Sequence, residues 1–176
     1  MYSVSKGCPC VTLGQLKSVC RCSPNQVYKY RSKISGPLLD RIDIHIEVPV
    51  ARYQELSSNL PAETSAQIKE RVNKSRAIQR ERFSAAGGSA SGGKDEGILC
   101  NAQMSHKQVR KFCVLGKEEN ELLKMAMSEL NFSARAYDKI LKVSRTISDL
   151  ASSEQIKTEH LSEAIQYRSL DRDFFV

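Results

Sequence analysis

Apolar positions along the chain change their period twice. Over residues 24–34, Val27, Tyr30 and Ile34 recur at i, i+3 and i+7, the stripe of an amphipathic helix. Ser23 suits its N-cap, Pro24 its first position, and Gln26 completes a capping box, while Gly36-Pro37 ends it. Residues 42–48, Ile-Asp-Ile-His-Ile-Glu-Val, then alternate strictly, and that period of two predicts a β-strand closing at Pro49. One strand cannot make a sheet, so its partners are expected outside this segment.

Helical spacing returns at Pro61. A polar helix is predicted from there to about Phe83, with a sparse apolar face of Ile68, Val72 and Ile78. Residues 84–97 are rich in Ser and Gly and read as a linker, so a domain boundary is expected between residues 1–97 and 98–176. Everything beyond Ile98 is helical in pattern. A Ser105/Gln108 capping box opens a short helix through Phe112. Leu122, Leu123, Ala126, Met127 and Leu130 line one face of a helix over 118–130. Tyr137, Ile140, Leu141, Ser144 and Ile147 do so over 133–151, and Thr158 is expected to cap a last helix with Leu161, Ala164 and Ile165 inward. The expected fold is mainly α, with one β-strand over about 42–48 and an all-α bundle after it.

Charge changes the picture more by its placement than by its sum. The chain of 176 residues has 27 basic and 20 acidic residues, a net of +7. Residues 1–39 hold Lys6, Lys17, Arg21, Lys29, Arg31 and Lys33 and no acidic residue, so nearly all the excess lies there. A polyanion is to be sought at that end first. No apolar run approaches the roughly 18 residues of a membrane span, and no signal-peptide pattern stands at the N-terminus. A reduced, cytoplasmic setting without membrane contact is expected.

In that setting clustered cysteines point to metal before disulfide. Cys8, Cys10, Cys20 and Cys22 form two C-x-C pairs nine residues apart. Four thiolates complete a tetrahedral zinc site, and neighbouring Lys and Arg favour the thiolate. The alternative is a set of unliganded thiols.

Two arginines stand out. Arg41 lies between Asp40 and Asp43 just before the strand. Its guanidinium either grips a phosphate bidentately or pairs with those aspartates. Arg135 falls in the first turn of a helix, where free N–H groups attract anions. Lys139, Lys142 and Arg145 extend it into a basic face that by spacing alone reads as solvated. His45, His106 and His160 are isolated and none is assigned to catalysis. The sequence carries no G-x-x-x-x-G-K-[ST] loop and no apolar strand ending in paired acids, so this chain is not expected to hydrolyse a nucleoside triphosphate by itself.

Taken in order, several segments resemble the second half of magnesium-chelatase-like AAA+ ATPases of the ComM type. They are Cys8-Pro-Cys10, Cys20-Arg-Cys22-Ser-Pro-Asn-Gln26, Ile34-Ser-Gly-Pro-Leu-Leu-Asp-Arg-Ile-Asp-Ile-His-Ile-Glu-Val-Pro49, Leu99-Cys-Asn-Ala-Gln-Met-Ser105, Leu130 to Ala151 and Ala164 to Arg172. The resemblance implies that residues 1–97 are the end of an α/β P-loop core with a cysteine-pair insertion, and 98–176 its all-α lid. It implies that Arg41 is an arginine finger acting in trans and Arg135 the sensor 2 residue. It also implies ATP and Mg2+ held by a P-loop half, a homohexamer, and a DNA substrate remodelled by helicase-like branch migration. The asparagine that serves as sensor 1 in the family is replaced, since Lys6-Gly7 precedes the first Cys-Pro-Cys. Two other readings compete. One is a non-enzymatic, zinc-stabilised nucleic-acid-binding module. The other is a magnesium-chelatase subunit, from which the cysteine pairs and the Asp-Arg-Ile-Asp form point away.

Overall fold

The computed structural model of the chain describes residues 8–10, 20–33, 36–46, 48, 62–85 and 98–169. Among them the helices are α1 (Pro24–Arg31), α2 (Gly36–Leu39), α3 (Ser65–Ala85), α4 (His106–Phe112), α5 (Lys117–Glu129), α6 (Ala134–Leu150) and α7 (Thr158–Ser169), with a 3-10 turn at Asn101–Gln103. The described residues are mainly helical and none is in a strand. No helix among them is long and apolar enough to cross a membrane. The chain divides into two compact units, residues 1–61 with 169–176, and residues 62–168.

In the first unit the predicted capping box forms. Ser23 Oγ accepts from Gln26 N at 3.3 Å, and Ser23 N donates to Gln26 Oε1 at 2.9 Å. α1 ends earlier than expected, at Arg31, with Ser32 as its C-cap; Gly36-Pro37 instead begins the single turn of α2. No side chain of α1 is buried.

The strand expected over 42–48 is not seen among the described residues: these are irregular, and Glu47 and Pro49 lie outside the description. Nor does any part of a P-loop sheet appear among the described residues. A strand is held by hydrogen bonds to a neighbouring strand and by cover for its apolar face. Here Ile44 and Ile46 are exposed and Val48 is 83% exposed.

The second unit is a helical bundle with its own core. Phe83, Met104, Val109, Cys113, Leu123, Ile140, Leu141, Ile156, Leu161 and Ala164 form one buried cluster. Burying each larger aliphatic among them contributes on the order of 1.5–3 kcal/mol. Phe83 of α3 meets Phe112 of α4 edge-on, with centroids 5.6 Å apart, the arrangement that ring quadrupoles favour. The linker expected over 84–97 falls inside this unit. Ser84 and Ala85 complete α3, residues 86–97 lie outside the description, and α3 packs against α6. By contacts the chain divides at Pro61/Ala62.

Of the caps expected for the remaining helices, that of α4 forms and that of α7 does not. Ser105 and Gln108 form a capping box, and Ser133 Oγ accepts from Ala136 N at 3.1 Å. Thr158 is not a cap but the first residue of α7; Lys157 N donates to His160 Nδ1 at 3.1 Å, and Thr158 Oγ1 reaches Glu119 of α5. Helices α5 and α6 both end with a residue in the left-handed region, Asn131 at φ 48° and Ser152 at φ 54°. In each, the next residue bonds back into the last turn, Phe132 N to Met127 O at 3.3 Å and Ser153 N to Ser148 O at 2.9 Å, the Schellman closure of a helix end.

Candidate functional site

The first candidate is the cysteine group. A turn at 8–10 and the irregular residues 20–23 before α1 place all four sulfur atoms within 4.8 Å of one another. Cys8 Sγ and Cys10 Sγ are 3.3 Å apart, Cys10 and Cys20 3.5 Å, and Cys20 and Cys8 3.7 Å. The six cysteines are not disulfide-bonded. Cys8 is fully buried although Pro9 and Cys10 beside it are exposed. The intervening residues 11–19 lie outside the description. Such crowding works against ionisation of a thiol that has no cation to balance it. For Cys20, a backbone hydrogen bond from Cys22 lowers the pKa. Desolvation and hydrogen bonds to the Cys10, Cys8 and Cys22 thiols outweigh it and push the pKa up to about 12. Cys22 is raised as well, chiefly by its hydrogen bond to Cys10. The donor set is compatible with zinc.

The second candidate is Arg41. It follows the turn of α2, whose Leu39 is buried. Arg41 N donates to Leu38 O at 3.0 Å, and Nη1 to Pro37 O at 3.3 Å. The side chain is thus drawn across its own turn while remaining exposed.

The third is Arg135, exposed in the first turn of α6, where Ser133 serves one of the helix's unpaired N–H groups. The basic face expected to continue from it does not. Lys142 Nζ donates to Ala102 O at 3.1 Å, holding the 3-10 turn. Arg145 is only 5% exposed and is paired with Asp149. Burial of a guanidinium demands hydrogen-bond partners, and all three nitrogens of Arg145 have them. Nε donates to Asp149 Oδ1 (3.1 Å), Nη1 to Glu154 O (2.8 Å), and Nη2 to Ser148 Oγ and Ser153 O.

The structure gathers the four cysteines, whereas Arg41 and Arg135 belong to different units. It also reveals a polar cluster that spacing did not. Arg82 of α3 donates from both terminal nitrogens to Asp149, from Nη1 to Oδ2 at 2.8 Å, and bonds Asn101 Oδ1 at 2.9 Å. Asn101 Nδ2 donates to Asp149 Oδ2 at 2.8 Å and to Thr146 Oγ1 at 3.1 Å, and Asn101 N to Gln79 Oε1 at 3.1 Å. The signal was present in sequence as Arg145 and Asp149 at i and i+4, a spacing that puts both on one face of a helix. Among the histidines, His106 Nδ1 is 3.0 Å from both Asp138 oxygens, on the surface, and His160 is buried as the acceptor at the start of α7.

Residues 62–168 match the family described as magnesium chelatase, subunit ChlI C-terminal, and residues 3–56 match magnesium chelatase, subunit ChlI. Over 153 residues the chain is 41% identical to the competence protein ComM of Haemophilus influenzae, covering 86% of this chain and 27% of that protein. It is 36% identical over 153 residues to the uncharacterised protein YifB of Escherichia coli, covering 86% of this chain and 28% of that protein. The chain thus spans little more than a quarter of the length of these curated relatives.

Proposed function

Because the chain belongs to the ComM/YifB-type, magnesium-chelatase-like family of AAA+ proteins, we propose that it is the carboxyl-terminal part of a hexameric, cytoplasmic ATPase that remodels DNA. In this reading ATP and Mg2+ are bound by a P-loop half, and the chain supplies two cations to the nucleotide. Arg41 enters the neighbouring subunit's site as an arginine finger and meets the charge that builds on the transferred γ-phosphoryl group. Arg135 approaches the γ-phosphate of its own subunit as sensor 2. Mg2+, when bound, neutralises charge on the β- and γ-oxygens.

The observation that carries this reading is the setting of Arg135 in the family's C-terminal domain. It is exposed on the first turn of a 17-residue helix, so a phosphate there meets both a full positive charge and the helix's N-terminal N–H groups. The distal end of that helix is clamped by the Asp149 cluster, which fixes the direction in which Arg135 is presented. The test is to add this chain to the matching P-loop half and follow ATP turnover. A gain that Arg135→Ala removes supports the reading, and turnover indifferent to the chain contradicts it.

A further inference from the structure

Four sulfur atoms at about 2.3 Å from one tetrahedral zinc ion stand about 3.8 Å from each other. Three separations in the cysteine group, 3.3, 3.5 and 3.7 Å, lie near that edge, and all pairs fall within 4.8 Å. We propose that Cys8, Cys10, Cys20 and Cys22 hold one structural Zn2+ that joins residues 8–10 to residues 20–22 and anchors α1. This inference is independent of the nucleotide chemistry of Arg41 and Arg135.

Three observations choose among the uses of four thiols. Sulfurs this close enclose a single ion; a multi-iron cluster places inorganic sulfide between its irons and holds its cysteines farther apart. All-thiolate tetrahedral donors suit zinc. Four protein ligands also leave no open position, so the ion cannot activate a water and its role is structural.

The need for such a clasp is visible in α1. That helix starts two residues after Cys22 and buries none of its side chains. Eight residues of isolated helix are unstable in water, capping box or not. Among the described residues of its unit, only Cys8 and Leu39 are buried apolar positions. An ion bound on one side of Ser23 supplies what an apolar face does not, because metal-binding free energy becomes folding free energy. Binding replaces four S–H bonds with four Zn–S bonds and releases four protons to solvent. The resulting site carries two net negative charges. Arg21 between Cys20 and Cys22, together with Lys29, Arg31 and Lys33 within eleven residues after Cys22, balances them.

The test is metal analysis of the 176-residue chain purified under reducing conditions without chelator. The expected result is one zinc per chain, lost in the double variant Cys8→Ser/Cys20→Ser and retained in Cys100→Ser and Cys113→Ser. Exchange with Co2+ is expected to give the absorption of a tetrahedral tetrathiolate site. Hydrogen exchange adds a readout that survives a poorly folding variant: chelation should speed exchange across residues 20–33 and leave residues 98–168 protected. Iron in place of zinc, a chain that takes up no zinc when it is supplied, or zinc retained by the double variant would each overturn the assignment. Unchanged exchange in α1 after zinc removal would overturn the anchoring role.

Discussion

Arg82 on α3 and Asp149 on α6, 67 positions apart, form a two-nitrogen ion pair in which the carboxylate is wholly buried. Asp149 also accepts from Asn101 and Arg145. One carboxylate therefore ties together α3, the 3-10 turn and the end of α6. The charge is tolerable because each oxygen accepts two hydrogen bonds, and two of the three donating residues are cationic.

Asp149→Ala leaves Arg82 and Arg145 without their anion in a low-dielectric interior. Removing one partner of a buried pair costs about 3–5 kcal/mol. Urea unfolding of the helical unit should show a loss of that size, with the midpoint falling. A change below about 1 kcal/mol would mean the cluster is solvated. Arg82→Lys should also weaken the unit, since an ammonium cannot reproduce the two-nitrogen geometry.

Ser152 closes α6 with φ 54°, a backbone region that costs a residue with a Cβ roughly 1–2 kcal/mol. Ser152→Gly removes that strain and gains backbone freedom in the unfolded chain, which offsets part of it. The expected net is a gain of about 0.5–1 kcal/mol in thermal or urea unfolding, without effect on any nucleotide-dependent activity.

Burial pushes the Cys113 thiol from 9.0 up to about 11, with Arg145 and Arg82 pulling the other way. The folded state therefore keeps its proton to higher pH than the unfolded state does. Stability from this group is intact below about pH 9 and is lost as pH rises toward 11, since there the native state binds more protons. The loss over that window is roughly 2–3 kcal/mol. Comparing unfolding of the wild-type chain and Cys113→Ala at pH 8.5 and 10.5 isolates it, and equal pH slopes would contradict the shift.

Two helix starts were readable because a capping box is a local device: Ser23 with Gln26 and Ser105 with Gln108 each act within three residues. The inward faces of α6 and α7 were readable too, since Ile140, Leu141, Leu161 and Ala164 are apolar and buried. Helix α3 defeats that logic. Its expected apolar face is largely exposed at Ile68 and Val72, while Ser75 and Gln79 are buried with Phe83. Gln79 turns inward there because Asn101 of a distant segment donates to it, and Gln79 in turn bonds Ser75, which periodicity does not encode. The alternation at 42–48 gives no strand among the described residues for the complementary reason, as a strand depends on a neighbour that no local pattern supplies. The cysteine group was readable from spacing alone, but its closeness in space was not.

The Arg41 assignment is tested most directly by separating nucleotide binding from turnover. A P-loop half supplemented with this chain should bind a fluorescent ATP analogue equally well with wild-type or Arg41→Ala protein. ATP turnover, by contrast, should fall by about 10³-fold or more in the variant, the scale of an arginine finger. Arg41→Lys should recover little of it, because a lysine lacks the planar fork. Turnover unchanged by Arg41→Ala would contradict the account.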